Sequence, residues 1–248
     1  MNRYSGNYKS IHDAMENCNK EAYEKMVTDL GRQVTDDFSS ASQKNVKISE
    51  TEAQIAMGIM SVSGSYSGGL RVLDFGGGSG VHYKRIMEIC NNLQIDAWHV
   101  IEMPELVKAG NQHANGGALR FFESLDDADD NYHLILASGS LHYLDDPKGL
   151  FRKMSNIQHL KLIINRLPIM HPNNVKYTSD MYCIQNVGNP HNWQFPIRVC
   201  ALNIWMEMLS ETHEFRSFWD CQFDGAHPLP NGRTAISVGL LLDKKNNT

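Results

Sequence analysis

Near the start of the chain, apolar residues recur at three- and four-residue steps: Ile11, Met15, Ala22, Met26 and Leu30. That spacing puts them on one helical face and predicts a helix ending near Gly31. The polar stretch over 35–50 reads as a connector. Ser49 or Thr51 then caps a second helix through Ile55, Ile59 and Val62, stopped by Ser63-Gly64-Ser65. Residues 1–65 are therefore expected to form a helical extension. From Leu70 the period changes. The apolar run LRVLDF enters the loop GGGSG, and Ile86, Ile89 and Leu93 mark the helix that follows. Further strands are predicted over 97–102, 118–122, 133–138 and 160–165. Helices pass through Leu106 and Ala109, and through Leu150 and Met154, the latter opened by Asp146-Pro147. The pattern lapses over 166–200, where Pro168, Pro172, Pro190 and Pro196 interrupt a run of Asn, His and Tyr; structureless segments of that length are functional or disordered. A helix over about 197–212 and strands over 215–223 and 234–242 complete seven strands. Strands alternating with helices imply parallel βαβ units, hence a doubly wound α/β domain over 66–248 with an insertion at 166–200.

Composition narrows the possibilities. At 248 residues, 42% hydrophobic and 21% charged, the chain has enough apolar surface for a full core, which excludes disorder as its main state. Lys and Arg total 23 against 28 Asp and Glu, and the only adjacent basic pairs are Lys84-Arg85, Arg152-Lys153 and Lys244-Lys245. With no basic stripe to neutralise a phosphate backbone, nucleic acid is not expected as a partner. The five cysteines, at 18, 90, 183, 200 and 221, form no CxxC and lie apart, so no metal site is expected and the compartment reads as reducing. No apolar run at the N-terminus has the length of a signal peptide core, and none anywhere that of a membrane span, so a cytoplasmic location is expected.

Chemistry concentrates in Asp74-Phe75-Gly76-Gly77-Gly78-Ser79-Gly80, between a strand and a helix. Glycines there permit a sharp turn and close approach of backbone to ligand, and the helix N-terminus favours an anionic group. A phosphate-transfer loop requires Gly-Lys-Ser/Thr after the glycines, whereas this one continues Val81-His82. A dinucleotide fingerprint requires Gly or Ala where Val81 stands, which disfavours a nicotinamide-dependent oxidoreductase. An acid followed by glycines at every second position, Asp74, Gly76, Gly78 and Gly80, remains.

That motif, written VLDFGGGSG here, resembles the first motif of the class I S-adenosylmethionine-dependent methyltransferases. The likeness spans about 66–248 and implies a Rossmann-like, seven-stranded, mostly parallel sheet with a reversed last strand. It also implies S-adenosyl-L-methionine as cofactor, bound by Asp74, Gly76, Gly77, Gly78 and Gly80. Glu102, ending AWHVIE, takes the place of the acid that accepts hydrogen bonds from the ribose hydroxyls. After the third strand, where the family often carries an acid near the adenine, the chain reads Phe122-Glu123-Ser124-Leu125, which leaves Ser124 and Leu125 as candidates. More narrowly, LDFGGGSG, WHVIEMPELV, ILASGSLHYLDDP, LIINRLPI and the Gln185-bearing segment before NPHNW are similar to methyltransferases encoded in bacterial capsule and O-antigen clusters. This implies a sugar or nucleotide-sugar acceptor, methylated on a hydroxyl.

Ser138-Gly139-Ser140-Leu141-His142-Tyr143 leaves the fourth strand at the edge where open α/β sheets hold ligands. Ser138 is a further cofactor candidate, His142 the candidate general base, and His171 its reserve. Arg166 ends the fifth strand at that edge, either pairing with an acceptor phosphate or carboxylate or forming a plain salt bridge. The 166–200 segment carries His171, Tyr182, Gln185 and His191, groups suited to an acceptor-binding lid and equally to an exposed loop. The competing reading is a catalytically silent binding or sensor module that retains the cofactor pocket.

Overall fold

In the computed structural model the described residues are 2–39, 47–63, 68–114, 116–129, 131–172 and 175–245. Residues 40–46 of the expected connector, the Gly64-Ser65 helix stop and the 65/66 boundary lie outside them. The chain opens on a strand, β1 (Tyr4–Tyr8), so the extension is not wholly helical. It is followed by α1 (Ile11–Glu16) and α2 (Lys20–Ser39). One helix was expected over this stretch; two asparagines divide it. Asn17 Nδ2 donates to the Asp13 carbonyl (2.8 Å) to close α1, and Asn19 Oδ1 accepts from the Ala22 N–H (2.9 Å) to open α2. Nor does the helix end at Gly31, because Val34, almost wholly buried, and Phe38 continue its apolar face. Helix α3 (Glu50–Ser63) begins with a reciprocal cap. Ser49 Oγ accepts from the Glu52 N–H (3.3 Å), and Glu52 Oε2 accepts from the Ser49 N–H (2.7 Å).

The alternation read from the sequence then follows: β2 (Leu70–Phe75), α4 (Val81–Ile89), β3 (Ile95–Ile101), α5 (Pro104–His113), β4 (Leu119–Phe122), β5 (Leu134–Ser138), α6 (Pro147–Asn156) and β6 (Lys161–His171). After β7 (Met181–Val187) and β8 (Trp193–Val199) come α7 (Leu202–Ser210), β9 (His213–Asp220), the two-residue β10 (His227–Pro228) and β11 (Thr234–Lys244). The main sheet runs β4-β3-β2-β5-β6-β11, with β9 and β10 both on the outer edge of β11. Strands β2 to β6 are parallel, and β11 is reversed against β6 and β9. This is the Rossmann-like architecture expected, with β10 as a short eighth strand. Side-chain alternation divides its core in two. Leu73, Ile135, Leu162 and Ile164 pack with Phe151, Met154 and Trp205 on one face; Val72, Leu134, Leu136 and Ile163 pack with Ile55, Ile59 and Ile86 on the other. No helix among the described residues is long and apolar enough to cross a membrane.

The 166–200 segment is more ordered than its pattern suggests. Strand β6 continues to His171, and β7 and β8 form an antiparallel hairpin, with Met181 opposite Val199. The helix expected from 197 therefore begins only at Leu202. Pro196 is tolerated because β8 is an edge strand that needs no second ladder. Strand β1 completes this second sheet on the free edge of β7, placing Tyr4 opposite Gln185. One face packs Tyr4, Cys183, Ile197 and Val199 over Met170, Leu229 and Ala235. The N-terminal helices tie down β8: Asn19 N–H donates to Gln194 Oε1, and Trp193 Nε1 donates to Asp29 Oδ2, both at 2.9 Å.

Candidate active site

Helix α4, after β2, packs on one face of the sheet, and α6, after β5, on the other. These two adjacent strands form the topological switch point, the place where open sheets have their ligand crevice, and two loops meet at their carboxyl ends. Gly76, at φ 70°, lies so close to the second loop that an added Cβ would sit 2.2 Å from Ser140 Cβ. Ser140 Oγ donates to the Phe75 carbonyl (2.7 Å) and locks the two together. Below the loop, Asp74 is wholly buried. Its Oδ2 accepts from Trp98 Nε1 (3.1 Å) and lies 3.0 Å from His82 Nδ1. A Cβ on Gly77 would meet that oxygen at 2.5 Å. Direct ligand contact was expected of Asp74, but burial gives it a different role, supporting the loop from beneath.

At the end of β3, Glu102 reaches the front of the loop. Its Oε1 accepts from the Gly78 N–H (3.1 Å) and its Oε2 from the Met103 N–H (2.8 Å). Burial pushes its carboxyl up, while the two N–H groups oppose the rise. Each oxygen retains a lone pair for a further donor. A Cβ on Gly78 would meet nothing within 4 Å, so this side of the loop is open, whereas Gly80, at φ 73°, turns the chain into α4. Ser79 Oγ donates to Asp37 Oδ2 (2.6 Å), so the end of α2 also reaches the loop.

Beside the crevice, Arg3, Tyr4, His142, Tyr143, Arg166, Gln185 and Asp224 line a small pocket of about 50 Å³. A wider, open cavity of about 360 Å³, bounded by Asn2, Arg3, Asn186, Gly188 and His227, adjoins it through Arg3. Arg166 enters the pocket because β6 bulges there. Val238 faces Leu167 and Leu240 faces Ile164, leaving two β6 residues against Gly239 alone. Arg166 takes the left-handed conformation (φ 56°), unusual for a residue with a side chain and a mark of functional sites. Its guanidinium donates twice to Asp224, from Nε (3.0 Å) and Nη2 (2.7 Å). Burial alone would raise the Asp224 carboxyl, but these bonds and the nearby charges of Arg166 and Arg3 hold it below its ordinary value. Of the two possibilities left open for Arg166, the salt bridge is the one present.

His142 is buried against Tyr143, ring centroids 4.1 Å apart. Burial, with the Arg166 charge adding to it, pushes its pKa down to about 3. It is therefore neutral at pH 7 but a weaker base than an ordinary histidine. Its Nδ1 and the Ser138 Oγ are buried and have no hydrogen-bond partner among the described residues.

The other candidates are less closely gathered. Gln185 lines the pocket, while Tyr182, three residues earlier and so on the opposite strand face, lies under the Arg198 guanidinium (5.1 Å). His171 is exposed at the far end of β6, and His191 is exposed on the β7–β8 turn beside Trp193. Neither lines the pocket. Ser124 Oγ accepts from the Asp126 N–H (3.1 Å), and Leu125 is buried in the core. Arg3, Tyr4 and Asp224 went unnoticed in the sequence, since β1 reads as part of a helical extension and Asp224 as a turn residue.

The sequence matches no protein-family model and no curated protein. Its fold is similar to that of the [4+2]-cyclase SpnF, at TM-score 0.56 and 13% identity over 96% of this chain and 97% of that one. The CcbJ methyltransferase from Streptomyces caelestis matches at TM-score 0.51 and 12% identity, over 85% of this chain and 96% of that one. Magnesium protoporphyrin IX methyltransferase (ChlM) from Synechocystis PCC 6803, solved with S-adenosyl-L-homocysteine, matches at 0.50 and 11%, over 89% and 97%. At such identities the likeness shows the fold, which is the Rossmann-like methyltransferase fold.

Proposed function

We propose that the protein is an S-adenosylmethionine-dependent methyltransferase acting on a hydroxyl of a small, glycan-related acceptor. The supporting observation is the meeting of Glu102 with the open side of the glycine loop at Gly78. It leaves a carboxylate with spare acceptor capacity beside backbone that a ligand can approach, which fits a ribose diol and the adjoining amino-acid part of the cofactor. When bound, S-adenosylmethionine supplies an electrophilic methyl group and departs as the thioether. ChlM, of the same fold, was solved with that thioether. On the protein side, Glu102 orients the diol, Ser138 Oγ has a donor and an acceptor to offer, and neutral His142 accepts the hydroxyl proton as the C–O bond forms. Tyr4, Tyr143 and Gln185 supply the aromatic and amide surface of the acceptor pocket. We assign β1 and the 166–200 segment jointly to its lid. Association with capsule or O-antigen synthesis rests on sequence resemblance alone.

One comparison favours keeping a second reading: SpnF is described as a cyclase, so this fold does not by itself entail methyl transfer. Calorimetry with S-adenosylmethionine, followed by mass spectrometry on a panel of nucleotide-sugars, separates the possibilities. Cofactor binding and gain of one methyl group are expected. Binding without transfer to any acceptor favours a silent module, and preferential binding of a nicotinamide dinucleotide defeats both.

A further inference from the structure

The inner pocket carries more positive charge than its single carboxylate balances. Asp224 is engaged twice by Arg166, and Arg3 Nη2 approaches it only to 3.8 Å, outside hydrogen-bond reach. Arg3 Nε is buried and has no hydrogen-bond partner among the described residues, and a guanidinium N–H can only donate. The remaining polar groups facing this space do not supply an anion. Tyr4 and Tyr143 carry uncharged phenols, His142 is neutral, and Gln185 is an amide. Two guanidinium groups thus face one carboxylate, and the donor left over belongs to Arg3.

Arg3 is also fixed in place. Its carbonyl accepts from the Asn186 N–H (2.7 Å), and Asn186 Nδ2 donates to the Asn2 carbonyl (3.1 Å) and to Ser5 Oγ (3.0 Å), so the residues around the start of β1 are stitched to β7. It borders both the inner pocket and the outer cavity, standing at the neck between them. We propose that Arg3, backed by the Arg166 charge, seats an anionic group of the acceptor, a carboxylate or a phosphate, at this neck. The reacting hydroxyl then points inward to His142, and the rest of the molecule lies between Asn2, Asn186 and His227. A guanidinium with a free buried Nε–H presents the planar fork that binds two oxygens of such a group. Calling the bound molecule an acceptor rests on the methyltransferase reading; the anion site itself does not.

The test uses the full-length chain labelled with 15N-arginine. The Arg3 Nε–H resonance, identified by its loss in Arg3→Lys, is followed while sodium phosphate, sodium acetate or, at matched ionic strength, sodium chloride is added. A saturable shift with phosphate or acetate and only a weak linear drift with chloride is expected; the anion that saturates first distinguishes a phosphoryl from a carboxyl ligand. Uridine diphosphate and glucuronate should bind at least 10-fold more tightly than galactose, and Arg3→Gln should remove that difference. Asp224→Asn, which deletes the competing carboxylate, should tighten anion binding at least 3-fold, and adding Arg3→Gln to it should remove that gain, whereas a gain kept in the double variant assigns the anion to Arg166 and overturns the proposal. Equal drift with all three salts, or saturable binding undiminished in Arg3→Gln, overturns the proposal. Calorimetry with S-adenosylmethionine on the same preparation reports on the parent reading separately: cofactor binding without anion binding defeats the anion site alone, and the converse defeats the methyltransferase reading alone.

Discussion

At the scale of single residues, the two carboxylates around the glycine loop divide the work by burial. Asp74, sealed beneath the glycines, holds their shape, while Glu102, at the open end of β3, is placed to touch a ligand. Glu102→Ala should weaken S-adenosylmethionine binding by about 1.5–3 kcal/mol, the worth of hydrogen bonds to a charged group. Calorimetry showing wild-type affinity removes Glu102 from the site. His142 calls for a different reading from an ordinary histidine. With its pKa near 3, the base form persists well below pH 6.5, so turnover of the true acceptor should show no histidine limb between pH 7 and 5 wherever the protein stays folded. His142→Asn should keep cofactor binding and lose at least about 100-fold in turnover, within the usual range for a general base. Near wild-type turnover in that variant makes His142 a packing residue. The loop and Glu102 were legible in the sequence because glycine spacing and a strand-end acid are local signals. Arg3 and Asp224 were not, since only the tertiary fold brings residues so distant in the chain around Arg166.

Among the elements, β6 decides the most, because its bulge turns Arg166 toward the pocket. Asn165 holds that bulge. Its Oδ1 accepts from Trp219 Nε1 (3.1 Å), the Arg166 N–H (3.1 Å) and Cys221 Sγ (3.0 Å), and its Nδ2 donates to Gln54 Oε1 (2.9 Å). Asn165→Leu would leave several buried groups without partners and should cost on the order of 3 kcal/mol, at about 1–3 kcal/mol per orphaned group. Urea unfolding measures this, and a change under 1 kcal/mol would show that Asn165 is not the clamp. The Cys221→Ala variant, which removes only the weak S–H donor, should cost less. These elements also show where sequence pattern reaches its limit. Six of the seven main strands were legible as largely apolar runs bounded by turn or helix signals, and the mixed β9 from its Phe and Trp residues beside a turn. The second sheet was not: β7 mixes Met, Tyr, Cys, Gln and Asn, β8 contains a proline, and β1 lies far from both in sequence. Their pairing depends on packing over β6 and β11. Excising 170–194 is therefore a poor probe of the lid, because it removes β7, the strand that carries both of its neighbours.

For the whole molecule, several buried histidines tie stability to pH in one direction. At the amino edge of the main sheet, His159 and His213 lie with their Nε2 atoms 2.9 Å apart, and burial pushes their pKa values down, to about 4 and about 3. Their neutral forms make a consistent chain. The Ile157 carbonyl can only accept, so His159 Nδ1 donates to it (2.8 Å) and its Nε2 accepts. His213 Nε2 then donates, and its Nδ1 accepts from the Thr212 hydroxyl (2.8 Å). A first added proton, on His213 Nδ1, only turns the Thr212 hydroxyl from donor to acceptor; a second, on His159 Nε2, sets N–H against N–H. His142 adds a third buried neutral imidazole. Since each folded pKa lies below the ordinary 6.5, the unfolded chain takes up protons first as pH falls. Stability is thus complete above pH 6.5 and is lost as pH drops toward 3. A histidine shifted from 6.5 to about 3 removes about 2 kcal/mol at pH 5, a large part of a typical domain's stability. Glu102 and Asp180, whose pKa values are raised by burial, oppose this only in part, because their ordinary range lies lower. Urea midpoints should therefore fall steeply between pH 7.5 and 5. The His159→Gln/His213→Gln double variant, though less stable at pH 7.5, should show a shallower fall over the same interval. Parallel curves for the two proteins would move the acid sensitivity away from this pair and leave His142 and the buried His99, whose pKa burial also lowers, as its sources.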